Sequence, residues 1–138
     1  MKVFHIISVG IFLSLSISGF SQGKKTLVKK GIVSKTTQEY FLEEGMKDPV
    51  VESVEKYNDE GELIELKELS KRGDVKKWEK YVYDEEGQLV EEIFLNERGD
   101  IEKTEKNIYK DGLLIEKQLY NSRNKLYKKK EYIYEYRQ

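Results

Sequence analysis

The sequence predicts an all-β fold, an antiparallel up-and-down meander of hairpin repeats about 26 residues long. Three observations predict it. Tyr57 recurs as Tyr83 and Tyr109 at steps of 26 residues, and as Tyr134 after a step of 25. Gly61, Gly87 and Gly112 keep the same steps, as do Leu63, Leu89 and Leu114. A period of roughly 20–50 residues marks a repeat architecture. Tyr81/Tyr83 and Tyr132/Tyr134/Tyr136 alternate at the period of a strand, not a helix.

Residues 1–21 read as a secretory signal peptide. Lys2 supplies the positive start, residues 3–17 form an apolar stretch, and Gly19 and Ser21 are the small residues before a cut ahead of Gln22. The stretch has 15 residues, whereas a membrane span needs about 20, and no Cys follows it to carry a lipid anchor. The expected address of residues 22–138 is therefore the periplasm or the cell exterior, without stable membrane insertion. The β-repeat domain is expected over residues 22–138. Its first unit, 27–58, is degenerate: Ile32-Val33, Glu39 to Leu42, Gly45 and Val50 to Tyr57 echo the pattern with insertions. Pro49 lies here, and proline belongs at sheet edges or bulges. An irregular end unit caps an array. Regular units follow at 57–82, 83–108 and 109–133, with a terminal strand end at 134–138.

Each unit reads as two strands. In the middle one, Leu89 to Leu95 is a strand, Asn96 to Asp100 a turn, Ile101 to Tyr109 a strand and Lys110 to Gly112 a turn. Glycine supplies the positive φ that tight turns need, and Asn124 can take its place. The 25-residue step arises because Asp84-Glu85-Glu86-Gly87 is one residue longer than Lys110-Asp111-Gly112. Connections this short force antiparallel neighbours, in a sheet of about seven to nine strands. Glu62 to Leu69 alone could pass for an amphipathic helix, but eight residues make a marginal one.

The strand faces argue against a sandwich or a closed barrel, with curvature or partial closure of the sheet left open. Val75, Lys77, Glu79, Tyr81 and Tyr83 share one face of their strand; Lys76, Trp78, Lys80 and Val82 share the other. Both faces carry charge at mid-strand, so an extended single-layer sheet with both faces largely solvated is expected. Cross-strand Glu–Lys and aromatic pairs take over from a core, and charge on the strands guards the open edges.

Tyr81-Val82-Tyr83-Asp84-Glu85-Glu86-Gly87-Gln88-Leu89 reads Y-x-Y-D-x-x-G-x-L and resembles the core of the YD (RHS-type) repeats. Residues 57–63 and 109–114 are weaker copies, and residues 73–89, with Trp78, also resemble the bacterial MORN-variant repeats. The resemblance spans residues 57–136. It implies strand–turn–strand geometry and roles in scaffolding, encapsulation, surface binding or antitoxin-like inhibition. The period is longer than in those families, and the array is too short for an RHS cocoon.

Composition narrows the function. The 138 residues hold 25 Lys+Arg, 26 Asp+Glu, one His and no Cys, with a net charge of −1. That balance argues against binding nucleic acid by broad phosphate neutralisation. His5 leaves with the signal, so residues 22–138 lack both His and Cys. Ser–His and Cys–His catalysis, disulfides, zinc-finger sites and histidine metal sites fall together. Paired carboxylates could hydrolyse glycosides, but with 26 acids some pair always lies close; a solvated strand face accounts for them. Asp84, Glu85 and Glu86 lack the alternation of a calcium loop. The alternating Lys128, Lys129 and Lys130 form no single patch for acidic lipid or nucleic acid. No enzyme activity, metal or cofactor is expected. The candidate binding residues are aromatic: Trp78, Tyr81, Tyr83, Tyr132 and Tyr134. The competing role for the tyrosines is stacking across strands. Trp78 stands apart, because Thr104 and Lys129 hold its place in the next units. The expected function is an exported, non-enzymatic binding or structural module for an envelope or extracellular protein or glycan. The alternatives are an inhibitor or immunity-type protein with one dedicated partner and, behind it, a carboxylate hydrolase.

Overall fold

The computed structural model describes residues 20–45 and 47–138. Residues 1–19, which carry most of the expected signal peptide, lie outside the described residues. Eight strands form one antiparallel sheet in chain order: β1 (Ser34–Glu39), β2 (Val50–Tyr57), β3 (Leu63–Leu69), β4 (Val75–Tyr83), β5 (Leu89–Leu95), β6 (Ile101–Lys110), β7 (Leu113–Asn121) and β8 (Leu126–Glu131). The sheet does not close, so β1 and β8 are both edges.

The domain departs from the expectation near both of its ends. Residues Phe20–Lys30 form a helix, α1, where a β-repeat domain was expected to begin. Gln22, Lys24, Lys25 and Leu27 are good helix formers, and Lys29 and Lys30 sit where the last carbonyls attract cations. Gly31 ends it with φ +62°. The Gly31 N–H reaches Val28 O at 3.0 Å and the Ile32 N–H reaches Leu27 O at 2.9 Å, the paired bonds of a left-handed helix cap. α1 runs across the Ser21–Gln22 position of the expected cut. At the other end, β8 stops at Glu131 and residues 132–138 are in no strand, so the expected strand end at 134–138 is not formed.

The turns follow from single side chains. Asn96 opens the β5–β6 turn, and its Oδ1 accepts the N–H groups of Arg98 and Asp100, both at 2.9 Å. Asp84 and Asn121 do the same, and Ser70 does it with its hydroxyl. The turn then needs one left-handed residue, which is Gly99 (φ +88°) here and Asn124 (φ +56°) after β7. The Asp111-Gly112 turn has positive φ at both residues, the two-residue hairpin that shortens its unit.

Every strand pair also carries one register shift. Three of these fall at the repeated tyrosines Tyr57, Tyr83 and Tyr109. Such bulges increase the local twist. The tyrosines then tie the hairpin ends. Tyr83 Oη donates to Leu63 O at 2.9 Å, Tyr109 Oη to Leu89 O at 3.0 Å and Tyr134 Oη to Leu114 O at 2.6 Å. The acceptors are the repeated leucines of the G-x-L motif, each 20 residues upstream. The sequence period is thus the period of this bond. Tyr109→Phe is expected to cost about 1 kcal/mol in urea unfolding, and an unchanged midpoint would deny the tie.

Burial confirms a single layer. Among the described residues only Tyr57 and Leu119 are buried hydrophobics, beside the polar Glu62, Glu79, Thr104 and Asn107. Cohesion comes from rows of cross-strand pairs, such as Lys56–Glu65 at 2.8 Å.

Candidate functional site

Strand pairing sorts the candidate residues onto two faces. Trp78 pairs with Lys67, and Lys67 with Val54. On this face the Trp78 Nε1–H donates to Glu65 Oε1 at 2.8 Å, while Lys56 donates to Glu65 Oε2 at 2.8 Å. Lys67 Nζ lies 4.0 Å from the Trp78 ring centroid, a cation–π contact. Gly99 lies under the ring edge: a Cβ there would sit 3.2 Å from Trp78 Cζ3. Burial pushes the Glu65 carboxyl up, but hydrogen bonds from Lys56 and Trp78 outweigh it and hold it below the ordinary range. Val54, Lys56, Glu65, Lys67 and Trp78 together line a small groove. The indole is therefore fixed in place, half-exposed, with its polar handle already satisfied.

Tyr81 belongs to the opposite face. It donates to Glu79 Oε2 at 2.5 Å, and Lys77 reaches the same oxygen at 3.2 Å. Burial, then the Glu79 hydrogen bond, push the Tyr81 phenol well above its ordinary value. Across β5 and β6, Glu92 and Glu105 are direct cross-strand partners, two like charges that repel. Lys117 of β7 lies between them, 2.8 Å from Glu105 and 3.8 Å from Glu92. Lys103 adds a bond to Glu105 at 2.7 Å. The two carboxyls are driven apart. Burial pushes Glu92 up, with Glu105 and Glu79 adding to it. Burial also raises Glu105, but Lys103 and Lys117 outweigh it and hold it low. Splitting two carboxyls is how acid–base pairs are made. Here Lys117 reaches both carboxyls, and the contacts tie β5, β6 and β7 together.

The remaining candidates are elsewhere. Tyr83 is spent on Leu63 O at the rim, and burial pushes its phenol up to about 12. Tyr132 and Tyr134 follow β8, four strands from β4, about 19 Å away at ordinary strand spacing. The five aromatic residues therefore do not make one surface, because strand parity and strand order separate them.

Two features escaped sequence reasoning. Arg72, Arg98 and Arg123 hold the same place in the β3–β4, β5–β6 and β7–β8 turns, a match that aligning the repeats displays. Asn107 occupies the place of Tyr81 and Tyr132 in its unit. Its Nδ2 donates to Leu89 O at 2.9 Å, while its buried Oδ1 meets no partner among the described residues. No group of acids among the described residues is arranged to hold a metal ion. No described helix is long and apolar enough to cross a membrane. Neither a protein-family model nor a curated protein sequence matches this chain.

Proposed function

We propose that this protein is an exported, non-enzymatic binding module that presents the Trp78 face of an open sheet to an envelope or extracellular protein or glycan. The observation that carries the reading is the state of Trp78. It is a half-exposed indole held rigid by Glu65, Lys67 and the glycine at position 99, at a place where the repeat elsewhere has Thr104 and Lys129. Repeat geometry does not require an aromatic there. A pre-ordered aromatic flanked by charge loses little conformational freedom when a partner covers it. The likeness to YD and MORN-variant repeats supports a surface-binding role. The signal-like residues 1–21 support export.

The test compares capture from envelope and extracellular extracts by the wild-type protein, Trp78→Thr and Tyr81→Phe. Threonine is what the next repeat carries at this position, so the sheet accepts it. Its expected stability cost is about 1–2 kcal/mol, less than loss of a fully buried aromatic. The reading predicts a partner kept by wild type and Tyr81→Phe and lost by Trp78→Thr. Retention by all three, or loss by both variants alike, would contradict it.

A further inference from the structure

The outer edge of β8 carries a second, independent feature. Its six residues are all exposed, and among the described residues β7 is its only neighbour in the sheet. An edge strand turns every other N–H and C=O outward, where another strand can pair with them. The repeat shows what is missing at this edge. β4 carries Lys77-x-Glu79 and β6 carries Lys103-x-Glu105, and in each the lysine bridges to its own glutamate, at 3.2 and 2.7 Å. The equivalent residues of β8 are Lys128-x-Lys130. The acid has become a second lysine. The inward partners give no compensation, since Lys128 faces Leu119 and Lys130 faces Lys117. Neither lysine has an ion pair among the described residues, whereas Lys129, on the other face, bonds Glu116 and Glu131. Exposed apolar residues gather beside them: Leu126, Tyr127, Tyr132, Ile133 and Tyr136.

We propose that β8 accepts an extended acidic segment of a partner protein as a ninth strand. Backbone bonds form along Leu126–Glu131, and alternating carboxylates of the segment meet Lys128 and Lys130 on the Tyr81 face. A second copy of this chain is a poor occupant. β8 against β8 sets lysine against lysine, and β1 offers one base and one acid, Lys35 and Glu39, around three uncharged residues. Edge lysines thus turn away the wrong strands and favour an acidic one.

The test uses the isotope-labelled protein and three short synthetic β-forming peptides. One has glutamate at alternate positions, one has lysine in those places, and one is the glutamate peptide N-methylated at alternate amides. The proposal expects the acidic peptide to shift the amide resonances of Leu126–Glu131 and to bind about tenfold more tightly than the lysine peptide, from two charge pairs gained and two repulsions avoided. N-methylation on the pairing side abolishes binding. Lys128→Glu/Lys130→Glu reverses the preference, which shows that the variant is folded. Equal affinity for both peptides, undiminished binding of the N-methylated one, shifts confined to other strands, or self-association through β8 in place of peptide binding would each overturn the proposal.

Discussion

Replacing Lys117 by methionine is expected to destabilise the protein by about 2 kcal/mol at neutral pH, and by less at pH 4. The substitution keeps the length and apolar stem of the side chain and removes only the cation. Glu92 and Glu105 are then left as direct cross-strand neighbours, with Lys103 as the remaining near cation on Glu105. Removing one partner of a fully buried pair costs roughly 3–5 kcal/mol. The figure is smaller here because the side chains of Lys117 and Glu92 keep 20% and 21% of their exposure. The pH dependence follows from the two shifts. Glu92 is raised in the folded state, so ionising it penalises the fold as pH climbs above the unfolded value of about 4.3. Glu105 is lowered, so its stabilisation is present above that value and fades as pH falls through its folded pKa. Lys117 opposes the first effect and supports the second. Its loss is felt when both acids are charged and is relieved when Glu92 takes up a proton. Urea unfolding of wild type and Lys117→Met at pH 7 and pH 4 measures this. A difference that does not change with pH would show that Lys117 acts through packing alone.

The second large effect is expected at Gly61. Its φ of +73° is left-handed, and a Cβ there would meet Lys24 O at 2.8 Å and Val28 Cγ2 at 2.9 Å. Both contacts belong to α1, which Lys24 also anchors through a 2.9 Å bond to Glu62. Gly61→Ala therefore adds a clash to the backbone strain, for an expected cost of about 2–3 kcal/mol. Gly73→Ala is the control. Its φ is +87°, with nothing within 4 Å of the added carbon, so it should cost about 1 kcal/mol from strain alone. In Gly61→Ala, amide exchange should speed up over Leu27 to Ile32 while β3 to β7 stay protected. Equal costs for the two alanines, with α1 still protected, would show that the helix does not depend on this contact.

These residues also show which parts of the fold the sequence displays. β4 and β5 are legible to the residue, because the turn Asp84 to Gln88 sets its own geometry by side-chain bonds and a left-handed glycine. The order of the strands follows from connections too short to cross over. α1 is not legible in the same way. Phe20–Lys30 is too short to be stable on propensity alone, and it rests on a close approach to Gly61 that no local pattern reveals. The site is intermediate. Period-two alternation already sets Trp78 and Tyr81 on opposite faces, yet grouping aromatics by type joins them. The Glu92–Glu105–Lys117 cluster needs the register of three strands at once. The bulges at Leu95 and Tyr109 shift that register by one residue, which residue counting along the chain does not show.

The proposed working surface is the Trp78 face. Trp78 is the only tryptophan, so protein grown with fluorotryptophan gives one fluorine resonance at this position. The direct measurement is its ¹⁹F spectrum before and after addition of unlabelled envelope or extracellular extract from the source cells. The resonance is expected to shift or broaden, and to return when the captured partner is removed. A resonance unmoved in every fraction, while the same protein retains a partner in parallel capture, would contradict it and place binding elsewhere on the sheet.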